Sequence, residues 1–110
     1  MKILTKDLIG KPLDWAVATS QELEPIPNQP AGFFYWGGQS GSYSPSTDWA
    51  QGDPIIEREC IALKAYATEP VHWEAGTFGS FKGATPLIAA MRCLVASKFG
   101  DEVEIPEELL

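Results

Sequence analysis

Residues 86–99, PLIAAMRCLVASKF, constrain this chain more than any other segment. Thr85 offers a capping oxygen, Pro86 takes the first helical position where its missing N–H costs nothing, and Gly100 follows the last turn. Leu87, Ile88, Met91, Leu94, Val95 and Phe99 recur at spacings of three and four, so one stripe must face a core. Arg92 and Lys98 point toward the polar side, and Lys98 complements the dipole of the last turn. A helix of this kind hides its stripe only against a second layer.

The rest of the chain supplies that layer in short pieces. Gly10-Lys11-Pro12 opens a second helix over about 11–20, with Leu13, Ala16, Val17 and Ser20 on one face and Asp14 in the first turn. Trp15 lies off that stripe. Residues 21–30, QELEPIPNQP, hold three prolines and exclude both a long helix and a central strand. The aromatic run 32–36, GFFYW, is strand-prone. Residues 37–54 are rich in Gly, Ser, Pro, Asp and Thr and are expected to form an ordered surface loop. A helical turn capped by Asp53, with Pro54 at its first position, is expected to follow. Residues 60–66 and 71–78 read as an antiparallel hairpin turning at 67–70. The expected fold is therefore α+β: a short antiparallel sheet packed by the C-terminal helix at about 86–99, with the N-terminal helix beside it.

Length and charge narrow the function. At 110 residues the chain is one domain, 1–110, with one modest core. Fifteen acids face eight bases, a net charge of −7. That balance opposes direct nucleic-acid binding, which rests on Lys and Arg displacing counterions, and opposes docking on anionic membranes. Five of the acids fall in the tail 101–110, DEVEIPEELL, so ten face eight over the remainder. The tail is expected to be a solvated feature that lies extended or pairs briefly at a sheet edge. The first residues, MKILTKDLIG, carry no long apolar run, so no export signal and no membrane segment is expected, and a cytoplasmic location follows. Cys60 and Cys93 are then expected to be reduced thiols; with one His at no ligand spacing, no metal site and no cofactor is expected.

Three stretches carry a family resemblance. They are Leu13-Asp14-Trp15-Ala16-Val17-Ala18, then Tyr43-Ser44-Pro45-Ser46-Thr47-Asp48-Trp49 through Gln51-Gly52-Asp53-Pro54-Ile55-Ile56-Glu57, and finally Thr85 to Arg92 running on to Gly100-Asp101-Glu102-Val103-Glu104-Ile105-Pro106. Together they resemble the NinX-like proteins of lambdoid phages and prophages of enteric bacteria, over roughly half the chain and in the same order. Asp53 departs from the pattern, which usually has glycine there. The resemblance implies a phage-encoded accessory protein inside the bacterial host cell, and it implies no activity and no catalytic residue.

The candidate site follows from the most distinctive stretch. Tyr43, Ser44, Ser46, Thr47, Asp48, Trp49 and Gln51 combine rigid aromatic faces with directional donors and acceptors, which suits a planar small molecule or a partner protein. The same residues also suit a turn whose side chains cap its own backbone. Trp15 and Arg92 are the added candidates, Arg92 because it is the cation in the middle of the C-terminal helix. His72 lacks an identifiable partner, and Ser44 and Ser46 lack a nucleophile-elbow context. No G-x-x-x-x-G-K-[ST] phosphate loop appears. The leading expectation is a non-enzymatic binding protein for a host protein or small molecule, a nucleotide-signal sponge being one subtype. A small hydrolase-like enzyme and an acidic regulator that mimics nucleic acid are the alternatives. A homodimer through the GFFYW run also stays open.

Overall fold

The computed structural model describes residues 1–67, 71–76 and 81–110. Strand β1 (Lys2–Leu4) leads through a 3-10 turn at Thr5–Asp7 into helix α1 (Gly10–Ser20). A meander follows: β2 (Glu24–Pro25), β3 (Phe33–Trp36) and β4 (Gln39–Ser42). Helix α2 (Trp49–Arg58) precedes β5 (Leu63–Tyr66), β6 (His72–Ala75) and β7 (Phe81–Gly83). Helix α3 (Pro86–Phe99) and strand β8 (Glu102–Glu104) complete it, before a last 3-10 turn at Glu107–Leu109.

Among the described residues the strands form three small antiparallel sheets, β1-β8, β2-β3-β4 and β5-β6-β7. Helix α3 packs on the third of these, on α1 and on α2. The α+β architecture is thus the expected one, with the C-terminal helix at its centre. Its bounds coincide with the expected 86–99, and Thr85 Oγ1 accepts the Ile88 N–H at 3.2 Å. The buried face is wider than the stripe, because Ala89 and Ala90 are also fully buried. Small side chains let the sheet approach: a Cβ on Gly83 would meet the Ala89 backbone nitrogen at 2.5 Å. Phe99 departs from expectation at 41% exposure. It stands at the end of the helix, in a shallow depression with Lys2 and Glu102.

The hairpin forms, pairing Leu63 with Ala75 and Ala65 with Trp73, but its first strand begins at Leu63 rather than at Cys60, which turns the chain out of α2 at φ 52°. Its turn at 67–70 and the end of its second strand at Thr77 and Phe78 fall on residues 68–70 and 77–80, outside the described residues. The proline-rich segment contributes only β2, an edge strand, where a missing N–H is tolerated. Residues 37–54 depart most. They do not form a loop throughout: 39–42 pair with β3, and a helix begins at Trp49. Asp48 caps that helix, accepting the Ala50 N–H at 2.9 Å. Asp53 and Pro54 lie inside it. The tail is structured as well: β8 pairs with β1, Val103 and Ile105 are buried, and Ile105 N–H donates to Met1 O at 2.9 Å. Its acids Glu102 and Glu104 face outward.

Candidate functional site

The Tyr43–Gln51 stretch is closed upon itself and upon α1. The Asp48 and Ser44 backbones begin the tie, with Asp48 N–H donating to Ser44 O at 2.9 Å and Thr47 N–H to the same oxygen at 3.2 Å. Gln51 Oε1 accepts the Ser44 N–H, at 2.6 Å, and its Nε2 donates to Asp48 Oδ2 at 3.2 Å. Thr47 Oγ1 reaches Ser44 O at 3.5 Å. Pro45 and Ser46 are buried beneath, and Gly52 has no room for a side chain, because a Cβ there would meet Leu87 Cδ2 at 2.5 Å and Pro45 O at 2.6 Å. Tyr43 is buried among Phe34 and Trp36, whose rings lie 6.3 Å and 5.1 Å from its own. Burial pushes its phenol up to about 12. Thr47, Asp48, Trp49 and Ala50 stay exposed, Trp49 at 51%.

Asp14 is the anchor of this arrangement. It sits in the second turn of α1, so it is not the first-turn dipole partner that its spacing suggests. Pro12 is the third helical residue, because α1 starts at Gly10, and this places Asp14 deeper along the axis. Its Oδ1 accepts the Ser46 N–H at 2.8 Å inside the protein. Burial raises its carboxyl to about 6, against the opposing pull of the Ser46 hydroxyl and N–H. The Ser46 Oγ is itself buried and closes no hydrogen bond of normal geometry among the described residues, though it lies near enough to favour the Asp14 carboxylate. Trp15 is half-buried and packs on the core.

Arg92 lies apart from that cluster. Its Nε donates to Leu8 O and its Nη1 to Lys82 O, both at 2.7 Å. One side chain of α3 therefore bridges the segment before α1 and the outer edge of β7, where the sheet would otherwise leave a carbonyl unpaired. Burial lowers the pKa of the guanidinium, and the charge of nearby Asp7 opposes that shift. Arg92 also lines the wall of a groove of about 580 Å³, with Lys6, Lys82 and Asp101 around it and Leu4 and Phe81 as apolar wall. The remaining candidate residues, Trp15 and Tyr43 to Gln51, line none of the described cavities. Lys6, Lys82, Phe81 and Asp101 escaped sequence reasoning, since no local motif joins three segments so far apart.

Of the titratable side chains, His72 lines a second cavity with Arg92 and Lys82. His72 Nε2 lies 3.2 Å from Glu74 Oε2, and its ring stacks on Tyr66 at 5.0 Å. The hydroxyl of Thr47 bonds the backbone within its own loop. Among the described residues no three His, Cys, Asp or Glu side chains gather as metal ligands, and no helix is long and apolar enough to cross a membrane. Cys60 and Cys93 are free thiols that border one small cavity.

Comparison with known proteins gives one family. No curated protein matches the chain. The family model described as Bacteriophage P22, NinX matches residues 5–98, which include α1, the Asp14–Ser46 tie, α2 and nearly all of α3. The chain belongs to the NinX family of phage proteins.

Proposed function

We propose that this phage accessory protein acts by binding rather than by catalysis, inside the host cell, and that its ligand site is the groove at Arg92. The observation that supports this reading is the immobilised guanidinium. Two backbone carbonyls from separate segments hold Arg92 by its Nε and Nη1. Its Nη2 has no hydrogen-bond partner among the described residues and is left for a ligand at the wall of a 580 Å³ groove. A pre-set donor loses little entropy when a ligand arrives, and a concave site with a few polar groups on apolar walls is the ordinary form of a small-molecule pocket. The Tyr43–Gln51 stretch then serves as the frame that ties α1 to α2, its Thr47, Asp48 and Gln51 side chains bonded within it.

A metabolite panel read by thermal shift tests the reading, since a ligand that binds only the native state raises the midpoint. Ligands that raise it for the wild type and lose their effect in Lys82→Ala support the groove. Ligands whose effect is unchanged in Lys82→Ala but lost in Trp49→Ala would move the site back to the loop.

A further inference from the structure

We propose that the groove takes a small organic phosphate, seated against Arg92 and Lys82 with its organic part spread over the apolar walls. This rests on the reading of the groove as a ligand site and names the ligand class.

Charge carries the inference first. The chain is acidic, at −7, yet three of its eight cations, Lys6, Lys82 and Arg92, line this one groove against a single lining carboxylate, Asp101. Among the described residues none of the three makes an ion pair within 4.0 Å. Arg92 is held by neutral carbonyls rather than by a carboxylate, and Asp7 acts on its charge only from a distance, without an ion pair. The three lining cations outnumber the lining Asp101 even with Asp7 acting on Arg92 from beyond the wall, so the groove keeps a positive balance for an anion such as a phosphate monoester, at about −1.5 to −2 near neutral pH. Arg supplies the planar donor geometry and Lys the mobile point charge that phosphate recognition uses.

Shape carries it further. A second cavity of about 380 Å³ shares Lys82 and Arg92 with the first, and is otherwise lined by Val71, His72, Gly83 and Ala84. The two cations thus form a ridge between two hollows. On one side stand Leu4, 41% exposed, and Phe81; on the other stands Val71, 62% exposed. A phosphate on the ridge places its organic part in either hollow, on carbon rather than in water. A nucleic-acid strand fits less well, because it needs a run of cations along a track, and the acids of this chain dominate away from the groove.

The test uses the full chain in a phosphate-free buffer at low ionic strength, with amide chemical shifts as the readout. The probes are ribose 5-phosphate, phenyl phosphate, adenosine 5′-monophosphate, their unphosphorylated parents, benzoate and inorganic phosphate. The expected result is that the esters shift the amides of Lys6, Phe81, Lys82 and Ala84 with saturation, while the parents leave them unmoved. Lys6→Ala and Lys82→Ala, which remove no hydrogen bond of the fold, should each weaken the esters about tenfold, the loss of one charge-assisted contact. Esters that shift nothing in the groove, or that bind the Lys6→Ala/Lys82→Ala double variant as tightly, overturn the phosphate proposal. If benzoate or a neutral parent then shifts the same amides, the groove remains the ligand site and only its chemistry was misread. If nothing in the panel shifts them, both readings fall.

Discussion

Asp14 Oδ1 and the Ser46 N–H are joined at 2.8 Å across 32 residues of sequence, inside the protein. The two partners come from two of the three stretches that carry the family resemblance, and one buried hydrogen bond joins them. The carboxylate fixes the start of the turn that leads into α2, and α2 in turn packs on α3.

A pH dependence follows from Asp14. Its carboxyl is raised from 3.8 to about 6 by burial, so the folded chain holds that proton more tightly than the unfolded chain. The favourable contribution is complete below pH 3.8 and is lost as pH rises to about 6, an effect of order 2–3 kcal/mol. Asp14→Asn keeps an acceptor for Ser46 and removes the titration. The Asn variant should gain on the wild type between pH 4 and 6 and then hold a constant lead. Urea unfolding of both proteins across that range checks it, and parallel curves would contradict the raised carboxyl.

The start of α2 can be located by substitution. Asp48 caps the helix and Asp53 lies within it. Asp48→Ala should lower stability by about 1 kcal/mol, the usual value of a lost cap, whereas Asp53→Ala should stay within about 0.5 kcal/mol. Equal effects, or a larger loss at Asp53, would return the helix start to Pro54.

Two glycines set the spacing of the core. In an exposed helix Gly→Ala gains about 1 kcal/mol. At Gly52 the new Cβ would meet Pro45 O at 2.6 Å, and at Gly83 the Ala89 nitrogen at 2.5 Å. Backbone atoms do not move aside cheaply, so both substitutions should destabilise, by about 1–3 kcal/mol. A shift of the thermal midpoint upward in Gly52→Ala would mean that the turn at Pro45 yields.

The last residues should matter through their apolar members. Val103 and Ile105 are buried while Glu102 and Glu104 are exposed. Ile105→Ala should cost about 2–5 kcal/mol, and Glu102→Gln close to nothing. Denaturation midpoints separate the two.

Local signals made α3 legible to the residue: a hydroxyl, a proline and a glycine stand at its ends, and no tertiary contact is needed to read them. The hairpin of β5 and β6 was legible from an imperfect alternation and a turn signal, with its first strand read three residues too long at the start. The first half of helix α2 was hidden because Gly52 lies in a turn-rich run and Asp53-Pro54 reads as a helix start, and only the packing against Pro45 and Leu87 reveals why a glycine is required there. Strand β7 is three residues long and carries no pattern of its own. The site followed the same rule. Arg92 stood out by its place on the helix, but Lys6, Lys82 and Asp101 join it only after β1, β7 and α3 have met, and no spacing in the chain announces that meeting.

The pairing of Lys2 with Glu104 bears on the order in which the molecule can form. Strands β1 and β8 are separated along the chain by all three helices and both other sheets. Closing so long a stretch is the slow kind of contact, because the intervening chain must be ordered before the pairing is rewarded. While Val103 and Ile105 are still within the ribosome, β1 has no partner and the Leu4 side of the groove has no fixed wall. The groove beside Arg92 is therefore complete only once β8 has paired, and a chain cut before residue 102 should lose that wall.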